Sequence, residues 1–135
     1  MANQNFAGTD PVTFPSAADY ATVSKIYHII MVASGLATLC SSAADVPLGI
    51  LQDEPAAANA PASIKLLGHG IAKVVSNGTI NGGIAEGDYV GVYSDGRAVK
   101  KSTTNDIVIG RALDASSADG VVIRVDLAVG GNQIP

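Results

Sequence analysis

Apolar and polar residues alternate along most of the chain after residue 25, as they do in strands that have one buried face. The clearest example is the segment 121–127, in which an aliphatic residue holds every odd position. The segment 25–32 also fits one face of a helix, but its β-branched and aromatic content favours a strand. Similar patterns predict further strands at 36–40, 48–51, 63–67, 71–75, 88–93, 97–100 and 107–113.

Glycine-rich turns separate the predicted strands. Asp95-Gly96 lies between two of them, and this dipeptide is typical of a hairpin because the turn requires a positive φ. Short, regularly spaced strands with such turns predict an all-β domain, either a barrel or a sandwich. The one predicted helical segment is a turn or two over residues 16–24, where Ser16 and Asp19 have the spacing of a helix-starting box.

A short internal echo links two parts of the chain. Residues 46–53 align with residues 107–114 at an offset of 61, and each stretch is followed by an Ala/Ser-rich loop and an alternating strand. The echo predicts two similar strand–loop–strand units. The alternative is a chance similarity, which any β-rich chain can produce.

Residues 1–15 are predicted to form an extended arm, because they are rich in Asn, Gln, Thr and Gly and contain Pro11 and Pro15. Both Phe residues of the protein lie here, and a ring gains nothing from remaining in solvent. Two interpretations stay open: the rings fold back over the protein's own core, or they dock onto another chain. The candidate contact residues are Phe6, Val12, Phe14 and Pro15. We divide the chain into an arm (1–24), a β-rich domain (25–128) and a C-terminal tail (129–135).

Composition excludes several classes of function. The net charge of −4 and the pI near 4.8 argue against a sequence-independent nucleic-acid binder, which needs clustered positive charge. The longest strongly apolar run, residues 29–33, is far short of the roughly 20 residues that a membrane helix needs. No charged segment precedes an early apolar stretch, so we expect a soluble protein made in a bacterial cytoplasm.

The residues that could carry chemistry are few. Cys40 has no acid or base beside it in the sequence and is interpreted as a small core residue. His28 and His69 have no partner at metal-ligand spacing, and no catalytic constellation can be assembled around them. We therefore expect no enzyme activity, no metal site and no cofactor.

The region from about residue 27 to residue 127 resembles the phage head decoration, or capsid cement, proteins. The resemblance is carried by an ordered series of phrases, of which "hydrophobic-Ala-Glu-Gly-Asp-x-Val" and "Ile-Gly-Arg-Ala" weigh most. The series comprises residues 48–53, 84–90, 95–97, 109–115 and 119–127. It leaves the first 25 residues outside the matched part.

The resemblance implies a small β-barrel or β-tulip-like fold with an extended N-terminal arm. It also implies a homotrimer on the outer surface of a bacteriophage head, where it binds the major capsid protein and stabilises the shell. The alternative function is a virion-surface binding module that recognises a receptor or a glycan. Neither function involves nucleic acid or a membrane.

Overall fold

The computed structural model describes residues 12–135, and within them every extended element is a β-strand. The only helical element is a single 3-10 turn, Leu127–Val129. The all-β prediction is therefore confirmed. The strands are β1 Val12–Pro15, β2 Ile29–Ala33, β3 Leu36–Leu39, β4 Gly49–Leu51, β5 Pro61–Leu66, β6 Ile71–Asn77, β7 Tyr89–Val92, β8 Ala98–Lys100, β9 Gly110–Ala112 and β10 Asp119–Asp126.

The strands form two sheets of five. The first sheet has the order β1-β5-β4-β2-β3, and the second closes on itself in the order β10-β6-β8-β7-β9. Neighbouring strands are antiparallel in every described pair except β6 and β8, which are parallel. We call β1–β5 the first unit and β6–β10 the second unit.

The two units repeat one another strand for strand. Each strand of the first unit has its counterpart five strands later, and the neighbours in the sheet correspond as well. In the first unit Ile50 lies opposite Lys65 and Leu51 opposite Ile64. The residues 61 positions later pair in the same register: Arg111 with Asp126, and Ala112 with Val125. The predicted internal echo is confirmed, and it extends over the whole of both units.

Strands that precede the first hairpin correspond at an offset of 60. Val12 lies opposite Ile64 as Ala72 lies opposite Val125. A parallel bridge joins Ser16 to Ala37 and, at the equivalent place, Ser76 to Ala98. The offset becomes 61 in the β2–β3 and β7–β8 hairpins, since the paired positions Val32/Ala37 enclose one residue fewer than Val92/Ala98.

One glycine in each unit explains part of this repetition. A Cβ atom on Gly49 would lie 2.1 Å from the carbonyl oxygen of Lys65, and a Cβ on Gly110 would lie 2.1 Å from that of Asp126. Both glycines stand where two strands pass too closely for any side chain. The short motif that made the echo visible in the sequence is thus a packing requirement that occurs twice.

Each unit encloses an apolar cluster, and the clusters differ in size. The smaller cluster lies in the first unit and consists of Tyr20, Ile30, Ala37, Leu51, Ala62 and Ile64. The larger cluster is centred on the second unit, but it also includes Ile29, Cys40 and Ile50 from the first. The first unit therefore supplies part of the second unit's core, and the interface between the units is apolar.

Three predictions about the ends of the chain need correction. Residues 12–15 form strand β1 rather than an arm without regular structure, because Pro15 ends an edge strand and lacks no ladder bond that a central strand would need. The segment 16–24 forms turns and no helix, because the N–H groups of Tyr20 and Ala21 both donate to the carbonyl of Pro55. Residues 129–135 do not hang free, since the N–H groups of Val108 and Ile134 bond across to Asn132 and Asp106.

Candidate contact surfaces

The four predicted contact residues occupy different positions. Val12 and Phe14 are half-buried and pack against the smaller apolar cluster, whereas Pro15 is exposed on the other side of β1. Phe6 lies outside the described residues. For Val12 and Phe14 the packing agrees with the interpretation in which the side chains cover the protein's own core. A contact of Phe6 or Pro15 with another chain stays a prediction.

Tyr20 closes the seam between the two edge strands of the first unit, β1 and β3. Its side chain is buried, and its hydroxyl oxygen accepts a hydrogen bond of 2.9 Å from the N–H of Leu39. Its backbone N–H donates to Pro55 at 2.8 Å, and its carbonyl accepts from Lys25 at 2.9 Å. Sequence reasoning missed this role, because Tyr20 lies in a loop and has no periodic neighbours that predict burial.

A cavity of about 150 Å³ opens at the corresponding seam of the second unit. Its walls come from the loop after β6, the start of β7, the end of β8 and the loop after β9. Lys100 and Asp88 face one another across it, with Nζ and Oδ2 3.6 Å apart. The lining residues are Gly82, Gly83, Ile84, Ala85, Asp88, Lys100, Ser116 and Ser117.

Charges on the surface of the second unit are mostly paired. Arg124 makes a bidentate contact with Asp114, and the hydrogen bonds from Arg124 lower the pKa of that carboxyl to about 2. Arg97 contacts both Asp95 and Asp119. Burial raises the pKa of Asp95, but hydrogen bonds from Arg97 outweigh this effect and the net shift is downward. Such exposed pairs orient the loops more than they stabilise the fold.

Cys40 and His28 are core residues rather than reactive groups. The Cys40 thiol is fully buried, and burial raises its pKa to about 12, so that almost no thiolate exists at neutral pH. The interpretation of Cys40 as a core residue is confirmed. Burial also lowers the pKa of His28, whose Nδ1 is 3.2 Å from the carbonyl oxygen of Ile26. A neutral ring that donates from Nδ1 satisfies this contact.

Metal and membrane features were also sought in residues 12–135. In that range no three His, Cys, Asp or Glu side chains come together in a way that could hold a metal ion. Over the same residues, no helical segment has the length and hydropathy that crossing a bilayer would require.

Two stacked β units and an exposed cavity of side-chain size are the features of a β module that acts through contacts with other proteins. A sequence model of the phage cement proteins matches residues 9–127 of the 135, and the chain therefore belongs to the phage cement protein family. No curated protein and no solved structure gives a significant match. Family membership confirms the resemblance and gives the protein a structural, capsid-stabilising role at the phage capsid.

Proposed function

We propose that this protein binds the outer surface of a bacteriophage head as a homotrimer and reinforces the contacts between major capsid subunits. The observation that carries the proposal is the family match over residues 9–127. The structure supports a role in binding, since two closely related β units offer loops and edges but no metal cluster in the described residues. Cyclic assembly is the common way for such small chains to associate.

The attachment is proposed to depend on the segment that precedes β1, together with Pro15 at the end of that strand. Val12 and Phe14 anchor β1 on the smaller cluster, so that residues 1–11 start from a fixed point. Phe6 is the large apolar side chain of that segment, and burying one Phe contributes roughly 1.5–3 kcal/mol. A trimer carries three such segments, and the second and third bind at high effective concentration.

Two truncations separate attachment from folding. Deleting residues 1–11 leaves every described strand in place, and we expect a folded protein that binds heads much more weakly than the full chain. Deleting residues 1–15 also removes β1 and two side chains from the smaller cluster, and we expect this variant to lose stability as well. The measurements are cosedimentation with heads that lack the protein, thermal unfolding of the free variants, and heat resistance of the decorated heads.

The outcome decides between specific alternatives. If the 1–11 deletion binds heads as tightly as the full chain, the segment has no role in attachment. A sedimentation mass that stays monomeric both in solution and after elution from heads contradicts the trimer. Binding that requires an added glycan contradicts the proposal and favours a receptor- or glycan-binding module.

A further inference from the structure

The cavity of the second unit lies where the first unit holds the ring of Tyr20. In the first unit Tyr20 hydrogen-bonds to three backbone positions, Lys25, Leu39 and Pro55. At the offsets that relate the two units, these positions correspond to Ala85, Lys100 and Ser116, and all three line the cavity. The same place in the fold is therefore filled by an aromatic side chain in one unit and open in the other.

The loops explain why the second unit does not fill this place itself. Its loop bonds to Ser116 through the N–H of Ile84 at 2.8 Å, as the first loop bonds to Pro55 through the N–H of Tyr20. Ile84 is buried in the larger cluster, but its side chain is shorter than a tyrosine and has no hydroxyl. Gly82 and Gly83 adopt φ values of +82° and +88°, which keeps that wall free of side chains.

The size and chemistry of the cavity suit one aromatic ring. Pockets for small-molecule ligands typically have volumes of roughly 300–1,000 Å³, about two to six times that of this cavity. A cavity of about 150 Å³ in another protein holds one benzene ring. The ammonium group of Lys100 lies at the cavity, held only loosely by Asp88, and can be attracted to the face of a ring.

We propose that this cavity is a docking site for the side chain of Phe6 from a neighbouring copy of the chain. Four Tyr and two Phe are the aromatic residues of the protein, and Phe6 is the one that lies outside the described residues. Six residues of chain span at most about 20 Å from the start of β1, a reach on the scale of a subunit boundary. The inference rests on the proposed self-association, and it assigns to that association a residue and a receiving site.

Disulfide mapping tests the proposal directly. One chain carries Phe6→Cys and a second, size-tagged chain carries Ser117→Cys, on an exposed position of the cavity rim. The native Cys40 is buried and does not compete. After mixing and mild oxidation, we expect the mixed disulfide to form at least about tenfold faster than with the matched control Ser94→Cys, which is exposed in the β7–β8 hairpin.

Competition then shows that the ring, and not only the segment, is recognised. A peptide of residues 1–11 should suppress the mixed disulfide, and the same peptide with Phe6→Ala should not. Should Ser117→Cys disturb folding, Ala85→Cys offers a second exposed position on the rim. Equal rates for the cavity and control positions overturn the proposal, as does a disulfide that forms only within one chain when both cysteines are present.

Failure here is distinguishable from failure of the proposed function. If wild-type protein binds heads as a trimer while the cavity position does not crosslink, the capsid role stands and this docking site is wrong. If the protein is monomeric in solution and on heads, and no crosslink forms, both are wrong.

Discussion

The two units share their hydrogen-bonded framework and differ in what fills it. Where the first unit has Phe14 and Leu51, the second has the smaller Val74 and Ala112 at the equivalent positions. The paired positions Ile29 and Ile50 are fully buried against the second unit, whereas their counterparts Tyr89 and Arg111 face outward. Strand register and two close-approach glycines are thus enough to specify the framework, while side-chain size and polarity decide which face becomes an interface.

The largest effect is expected from exchanging residues between equivalent positions. Ile50→Arg places a cation in the apolar interface with no partner, and we expect the protein not to fold, because an unpaired buried charge costs several kcal/mol. The reciprocal change Arg111→Ile loses only the contact of the guanidinium with the Tyr89 ring, centred 4.7 Å away. We expect it to cost about 0.5–1 kcal/mol. Chemical denaturation of both variants measures the contrast, and similar losses would contradict the proposed asymmetry.

The next largest effect concerns the two close-approach glycines. Gly49→Ala and Gly110→Ala each drive a Cβ into a carbonyl oxygen of the neighbouring strand, and we expect each to cost about 3 kcal/mol or more. Gly120→Ala is the matched control, because its positive φ is strained but no atom lies near the new Cβ. It should cost about 1–2 kcal/mol. If only one of the two glycines is sensitive, the equivalence of the units does not extend to their energetics.

Tyr20→Phe tests the seam of the first unit. The change keeps the ring in the smaller cluster but removes the acceptor for the N–H of Leu39, so we expect a loss of about 1–2 kcal/mol in unfolding free energy. Tyr93→Phe, on a partly exposed residue of the second unit, serves as the control and should be nearly neutral. An unchanged stability for Tyr20→Phe would show that water replaces the tyrosine hydroxyl at the seam.

The smallest effect is a pH dependence from His28, which corresponds to Asp88 of the second unit. Because burial holds its folded-state pKa below the ordinary value of 6.5, the unfolded chain binds the proton more readily. Its share of stability is complete above pH 6.5 and declines as the pH falls below that value. Charges around it come from Lys25, Asp95 and Arg97. His28→Asn should flatten the pH profile of unfolding, whereas the exposed His69→Asn should leave the profile unchanged.

Much of the framework could be predicted because its causes are local. Alternation identified every strand from β2 to β10, and Asp95-Gly96 correctly marked a hairpin. The echo around Gly49 and Gly110 was visible because a steric requirement allows one residue type only. Strand β1 was missed because two prolines suggested irregular structure, although an edge strand tolerates proline at its end.

The contact surfaces were less predictable, because they depend on residues far apart in the sequence. The cavity combines four segments between Gly82 and Ser117, and nothing in any one of them indicates a site. Tyr20 and Leu39 meet only after the first unit folds. The segment 16–24 carried a helix-start signal, but its N–H groups found a better acceptor in Pro55 than a helix could offer.

The change of offset from 60 to 61 bears on the history of the chain. It falls in the hairpins that join β2 to β3 and β7 to β8, where the turns lie at the surface. An insertion within a strand would move every later side chain to the opposite face, whereas a turn absorbs one residue without that cost. Duplication of an ancestral gene for one unit of about 60 residues, followed by a single-codon length change in one copy, accounts for the present sequence. The fused copies then diverged, so that one became the support of the other.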